Sequence, residues 1–384
     1  MGPLAGIRVL EFEGIGPGPF CGMMLADMGA DVLLVDRESD SRLGFGRERW
    51  YDTMFRGRRS VTLDMKTPAG VAAARRLAQR ADAVIEGFRP GVMERLGLGP
   101  AVLLADNPRL VYGRMTGWGQ DGPLASRAGH DINYIALSGA LHAIGRAGGP
   151  PVPPLNVVGD FGGGGMLLAF GIACALVEAQ RSGHGQVIDA AMVEGASLLT
   201  TMMTGLRAAG RWGEARGTNV LDSGAPWYDT YETRDGRHVA IGAIEPKFYA
   251  ELLARLGLPA DSLPAQHDRD GWPVLRERFA AVFRTRTRDE WNALFADADA
   301  CLSPVLTFAE AETHPHLAAR GAFVEVGGVT QPAPAPRFSR TPGAVRGAPP
   351  ERGAGGRAAL ADWGFDAAAI DELAALGLGF APPG

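Results

Sequence analysis

Cysteine, lysine and long apolar runs are all scarce in this 384-residue chain. The three cysteines, Cys21, Cys174 and Cys301, are widely scattered. They form neither a disulfide framework nor a Cys-x-x-Cys metal site, and they read as reduced residues. The start, Met1-Gly2-Pro3-Leu4, has no basic stretch leading into an apolar one, so a signal peptide is not expected. The longest apolar stretch, around Met166 to Val177, looks too short to span a bilayer. Pro382-Pro383-Gly384 spells no peroxisomal tripeptide, and the cytoplasm is the expected location. A net charge of -5 argues against nucleic acid or an anionic membrane as partner, so an anionic ligand must be held by local cations. His314-Pro315-His316 lacks the neighbouring cysteines or carboxylates of a metal site, and no metal is expected. Arginine supplies nearly all the positive charge, and with 54 glycines this points to a GC-rich genome.

Apolar residues make up 46% and charged residues 21%, the profile of a soluble globular protein of about two domains. The run Ile7 to Phe12 reads as a strand. It enters the turn Gly14-Ile15-Gly16-Pro17-Gly18-Pro19, a helix from Phe20 to Met28 and a second strand from Asp31 to Val35. Strand, turn, helix and strand in that order make a βαβ unit with parallel pairing. Further strands fall at Val61 to Leu63, Ala83 to Ile85 and Leu110 to Arg114, with a helix starting near Pro68. The first half is therefore an open α/β sheet. Long helices are expected at Gly162 to Arg181 and Met192 to Ala209. Past Gly224 the pattern changes, and Trp227 to Thr233 and Val239 to Ile244 flank the hairpin signal Arg234-Asp235-Gly236-Arg237. Helices at Lys247 to Leu256, Trp272 to Arg284 and Arg288 to Ala296 complete a smaller α+β domain. Gln331 to Pro336 reads as a stiff linker, Gly343 to Arg357 as mobile, and Asp366 to Leu376 as a final helix.

The glycine turn and Asp36 invite a dinucleotide reading, with Asp36 placed to hold a ribose. Pro19 replaces the third glycine of that pattern, and Pro17 and Pro19 remove backbone donors that a pyrophosphate needs. A tight turn that admits close approach of a ligand is the better reading. The densest constellation of reactive groups is Gly129-His130-Asp131-Ile132-Asn133-Tyr134 together with Asn156 to Gly165. His130 stands at a helix start, and Asp160 opens a glycine-rich helix as its N-cap. An imidazole and a carboxylate on two such loops form an acid/base pair. Free backbone N–H groups there can stabilise a developing oxyanion, with the Asp131 N–H as the candidate.

The segments 129 to 134, Gly159-Asp160-Phe161-Gly162-Gly163-Gly164, 185 to 190, 192 to 195, 224 to 231 and 242 to 249 resemble the α-methylacyl-CoA racemases. These enzymes belong to the class III CoA-transferase superfamily. The likeness runs in order from Leu4 to about Pro342. It implies a Rossmann-like parallel-sheet large domain plus a smaller α+β domain in an interlocked homodimer. The corresponding division is 1–190 for the first part of the large domain, 191–224 for linker helices, 225–322 for the small domain, 323–342 for a return linker and 343–384 for the rest of the large domain.

The same resemblance makes His130 and Asp160 the proton-transfer residues and Glu245 a carboxylate that supports the histidine. It assigns the CoA contacts to Arg37, Leu63, Asp64, Met65, Lys66, Gly87, Phe88, Arg89 and Arg95, and to Gly129, Asp131, Ile132, Asn133 and Tyr134. The implied partners are an acyl-CoA and a second copy of the chain, and no cofactor is needed because CoA is part of the substrate. The alternative is a class III CoA-transferase with Asp160 as nucleophile. Arg58 and Arg59 add local positive charge to this region, and Met192 with Met202 and Met203 reads as core. Two features depart from the family pattern. Glu13 places a charge where a small residue is usual, and Arg56 precedes Gly57-Arg58-Arg59; either could alter CoA affinity or the pocket mouth.

Overall fold

Alternating side chains of the apolar strands point to opposite faces, and that alternation builds two cores from one sheet. Leu10, Leu33, Val84 and Tyr112 pack on one face, with Leu77 of helix Pro68–Ala78 and with Leu360, Trp363 and Leu373 from the C-terminal segment. Their neighbours Val9, Val32, Ala83, Ile85 and Val111 pack on the other, with Cys21, Leu25, Leu168, Ile172 and Leu176. Strands buried on both faces are what a helix-covered parallel sheet requires. The computed structural model describes residues 2–39 and 48–382.

The sheet has six strands: β1 (Arg8–Phe12), β2 (Asp31–Asp36), β3 (Arg59–Thr62), β4 (Ala83–Glu86), β5 (Val111–Thr116) and β6 (Val187–Ala191). Their order is β3-β2-β1-β4-β5-β6 and every pairing is parallel. The order reverses between β1 and β4, the position at which open α/β sheets form a ligand crevice beyond their C-terminal ends. β6 was not foreseen, because Val187 and Asp189 are exposed and the run is not uniformly apolar.

The chain divides into two compact units, one of residues 1–138, 155–199 and 316–384 and the other of 139–154 and 200–315. In the second unit β7 (Tyr228–Glu232) and β8 (His238–Gly242) form the expected hairpin, with Gly236 at φ +72° in its turn, and β9 (Leu302–Pro304) adds to β8. Helices Pro246–Leu256, Trp272–Phe283 and Arg288–Leu294 bury Leu252, Phe279, Phe283 and Trp291 with Trp227 and Ile241. The predicted helix from Met192 to Ala209 is two helices, Met192–Leu199 and Thr201–Ala208. Met192 is core as expected, whereas Met202 is exposed.

The expectations for the last third also change. β10 (Phe323–Val326) and β11 (Val329–Pro332) form an antiparallel ribbon, so Gln331 and Pro332 are strand residues rather than linker. Gly343 to Arg357 is tied down rather than loose. Ala344 N–H donates to the Asp27 carbonyl at 2.9 Å, Gly57 N–H to Gly347 at 2.9 Å, and Gly353 N–H to Ser60 Oγ at 2.8 Å. Arg56 is likewise tied into the structure. It is buried, pairs with Asp27 at 2.6 Å and donates to Gln331 Oε1 and the Pro332 carbonyl.

Arg58 and Arg59 likewise hold structure together. Arg58 and Glu11 are both fully buried 2.6 Å apart, and Gly22 must lack a side chain because a Cβ there would lie 2.1 Å from Glu11 Oε2. Arg59 bridges Asp31 and Asp362. Replacing Glu11 with Ala strands the Arg58 charge in the sheet. Chemical denaturation should show a loss of about 3–5 kcal/mol, and a loss below 1 kcal/mol would mean that the pair carries no structural weight.

Candidate active site

Asp131 is the residue from which the site is built. It is the first residue of helix Asp131–Leu137, whose N-cap is His130. Asn133 Oδ1 accepts from the His130 backbone N–H at 3.0 Å and fixes the entry of the chain. The Asp131 carboxylate turns inward, is almost fully buried, and accepts from the N–H groups of Gly159 at 2.6 Å and Asp160 at 2.7 Å. One side chain therefore joins the two loops that carry the imidazole and the carboxylate. Gly159 has to be glycine, since a Cβ would stand 2.6 Å from Asp131 Oδ2.

Asp160 is not the N-cap that the sequence suggested. Val157–Met166 forms π-helical turns that run on into helix Leu167–Ser182, and Asp160 sits in the first of those turns. Wide π turns are rare and are frequent at functional sites. The glycines allow this segment to pack backbone against backbone. A Cβ on Gly163 would be 2.7 Å from Ala196 N, one on Gly164 3.0 Å from Pro17 Cβ, and one on Gly165 2.7 Å from the Pro17 carbonyl. Phe161 packs against Phe20 in a tilted ring contact with centroids 4.7 Å apart. The continuous helical span Val157–Ser182 has 26 residues, and by length and composition it could cross a membrane, contrary to the expectation from the shorter apolar run. Its buried side chains, Leu168, Ile172 and Leu176 among them, belong to the sheet core.

Asn156 Nδ2 donates to Asp160 Oδ2 at 3.0 Å. Gly16, at φ +66°, brings the turn after β1 against that carboxylate, because a Cβ there would lie 3.2 Å from the same oxygen. The close approach expected of this turn is thus made to Asp160. Burial raises the proton affinity of Asp160, and the like charge of Asp131 adds to the rise; the Asn156 hydrogen bond and His130 oppose it. Tyr134 is buried, donates to the Gly129 carbonyl at 2.5 Å and meets Trp118 edge to face with centroids 4.7 Å apart. Burial pushes its hydroxyl up to about 12, so it is neutral at physiological pH.

The proposed CoA residues follow the C-terminal ends of strands on both sides of β1: Arg37 after β2, Leu63 to Lys66 after β3, Gly87 to Arg89 after β4, and Gly129 to Tyr134 beyond β5. They differ in what they present. Leu63 is in the core, and Met65 and Phe88 pack against it. Asp64 forms a turn, its Oδ1 accepting from Lys66 N–H at 2.9 Å. Lys66, Arg89 and Arg95 are exposed cations, and Ile132 and Asn133 are exposed as well. Asp36 holds no ribose; it is buried between Arg49 and Ser60 Oγ. Glu245 lies in the second unit as the exposed N-cap of helix Pro246–Leu256.

Three positioning roles went unread in the sequence: those of Asn156, the Asp131 carboxylate and Glu86. Glu86 accepts from Phe88 N–H at 2.8 Å and from Arg114 Nε at 2.9 Å, so it shapes the Gly87–Arg89 loop from below. The Asp131 carboxylate and the Glu86–Arg114 pair depend on partners 28 or 29 positions away, whereas Asn156–Asp160 and Glu86–Phe88 are local contacts. No group of three or more His, Cys, Asp or Glu able to hold a metal occurs among the described residues.

The fold is a parallel α/β sheet that carries an imidazole and a carboxylate on two helix starts beyond its strand ends. The chain matches CoA-transferase family III over residues 4–355 and belongs to that family. It is 51% identical over 340 residues to the α-methylacyl-CoA racemase of Mus musculus, covering 88% of this chain and 87% of that one. It is 49% identical over 345 residues to the human racemase, with the same coverage. Among solved structures, a CaiB/BaiF family protein from Brucella suis superposes with a TM-score of 0.82 at 27% identity, over 94% of this chain and 99% of that one.

The raised proton affinity of Asp160 has a consequence for stability. Its ionised form is disfavoured in the folded state, so stability contributed at this position falls as pH climbs from the ordinary aspartate value through the raised one. Asp160→Asn should therefore raise the melting temperature at neutral pH, with the gain disappearing in acid. A lower melting temperature at pH 7 would refute the assignment of strain to this carboxylate.

Proposed function

We propose that this protein interconverts the (2R) and (2S) epimers of 2-methylacyl-CoA thioesters by moving the α-proton from one face to the other. The observation that carries this reading is the Asp131 tie, which mounts His130 and Asp160 on two joined helix starts. Identity of about half the residues with two α-methylacyl-CoA racemases supports it.

In this reading His130 removes the α-proton of the S-epimer and Asp160 delivers one to the opposite face; from the R-epimer the roles reverse. Two groups avoid any need to turn the substrate over between deprotonation and reprotonation. The raised proton affinity of Asp160 suits a carboxyl that has to act as an acid. The planar enolate between the steps carries its charge on the thioester oxygen. The first-turn N–H of Asp131 has no partner within its own helix and is the proposed donor to that oxygen. Glu245 is the proposed support of the His130 ring. Arg37, Lys66, Arg89 and Arg95 are the proposed cationic contacts to CoA, with Leu63, Asp64, Met65, Gly87 and Phe88 shaping the loops that carry them. The chemistry needs no cofactor beyond the CoA of the substrate.

We also propose a homodimer. Met166, Phe170, Cys174 and Val177 form an exposed stripe along helix Leu167–Ser182, at the spacing of one helix face. Phe170→Asp should shift the sedimenting species from dimer to monomer; a wild-type protein that sediments as a monomer would remove this part of the reading.

The reaction is tested by incubating one epimer of a 2-methylacyl-CoA in deuterated buffer and following α-proton exchange by NMR alongside the epimer ratio. Exchange with epimerisation is expected in the wild type, falling by about 10²-fold or more in His130→Ala and in Asp160→Ala. Absence of exchange, with CoA transfer to an added carboxylate that depends on Asp160 alone, would replace the racemase with a CoA-transferase.

A further inference from the structure

Glu13 is the charged residue in the turn after β1 that the family pattern did not lead one to expect. It is nearly buried, and its Oε2 accepts from the Arg37 backbone N–H at 2.9 Å. Arg352, from the C-terminal segment, donates to Glu13 Oε1 at 2.9 Å and Oε2 at 3.2 Å, and to the Arg37 carbonyl at 2.8 Å. Both backbone polar groups of Arg37 are thereby held by one ion pair. The pair is anchored in turn, because Gly353 N–H donates to Ser60 Oγ at 2.8 Å and Ser60 Oγ donates to Asp36 Oδ2 at 2.5 Å. Among the described residues the charges at this edge are nearly matched. Glu13 and Asp36 face Arg352 and Arg49, with Arg352 3.4 Å from Asp36. The Arg37 guanidinium is the surplus cation, and among the described residues it has no ion-pair partner.

We propose that Glu13 and Arg352 are a positioning pair that presets Arg37 for the phosphates of CoA and keeps the surrounding carboxylates neutralised. This inference rests on the CoA-thioester reading above. A bidentate guanidinium–carboxylate pair supplies both the geometry and the charge balance that such a role demands. Without Arg352, Glu13 would remain as an uncompensated anion beside the phosphate-binding cation and would repel the ligand. Without both side chains, the repulsion disappears and only the preset geometry is lost.

The test is calorimetric titration of free CoA into the full-length wild type, Arg352→Ala, Arg352→Lys and the double variant Glu13→Gln/Arg352→Ala. Epimerisation kinetics are measured in parallel on a 2-methylacyl-CoA and on its pantetheine thioester, which lacks the nucleotide phosphates. Arg352→Ala should weaken CoA binding about tenfold and raise KM for the CoA thioester rather than lower kcat. The pantetheine thioester should be unaffected, and the double variant should regain most of the lost affinity. Arg352→Lys keeps the charge, so intermediate binding with an unchanged melting temperature is expected. Equal losses on both thioesters, or a double variant weaker than Arg352→Ala, would overturn the pair's role. A wild type that binds no CoA would instead overturn the CoA reading itself.

Discussion

A carboxylate in a protein interior needs donors, and Asp131 Oδ2 draws two backbone N–H groups from a different segment of the chain while its Oδ1 is buried without a hydrogen-bond partner among the described residues. That requirement organises the site. The Asp131 carboxylate fixes where the π-helical segment starts, and hence where Asp160 stands relative to the residue preceding Asp131, which is His130. Its negative charge also lies at the N-terminal end of a 26-residue helical span, where a helix favours an anion. The same charge adds to the raised proton affinity of Asp160. Position thus comes from this one group, and protonation from the burial of Asp160 with a contribution from Asp131.

The packing around this tie explains the glycine run that follows Asp160. Gly163 and Gly195 bring two backbones so close that a Cβ on Gly195 would be 1.9 Å from the Gly163 carbonyl. Gly164 and Gly165 do the same against helix Pro17–Asp27. Small residues here hold Asp160 against the turn after β1, so the first βα turn and the candidate catalytic carboxylate share one wall. Buried ion pairs set the rest of the frame: Glu11 with Arg58, Asp27 with Arg56, and Glu86 with Arg114. Each couples the sheet to a loop, so arginines that would read as ligand contacts serve as struts.

Much of this was legible in the sequence. Apolar runs bounded by glycine and proline marked β1, β2, β4 and β5, the Arg234 to Arg237 turn marked the hairpin, and Pro68 marked a helix start. The grouping of His130 with Asp160 was legible because each stands beside glycines at a helix start. β6 was missed because Val187 and Asp189 are exposed and its pattern is not that of a buried strand. The π turns were missed because glycine-rich sequence carries no signal for helix width. Gly343 to Arg357 looked loose from its composition, yet its backbone groups find partners on Asp27, Gly57 and Ser60.

What the sequence determined by itself was local: strand periodicity, turn chemistry, helix starts, and which residue types were available for acid/base chemistry. Those depend on neighbours within a few positions along the chain. Only the tertiary structure decided which charges are free. Arg56, Arg58 and Arg352 are each held by a carboxylate or carbonyl distant in sequence, whereas the Arg37 guanidinium has no ion-pair partner among the described residues. Glu13 and Arg352 lie 339 positions apart and meet because the C-terminal segment runs along β3. Composition cannot report whether a guanidinium is already satisfied, because satisfaction is a matter of distance in space.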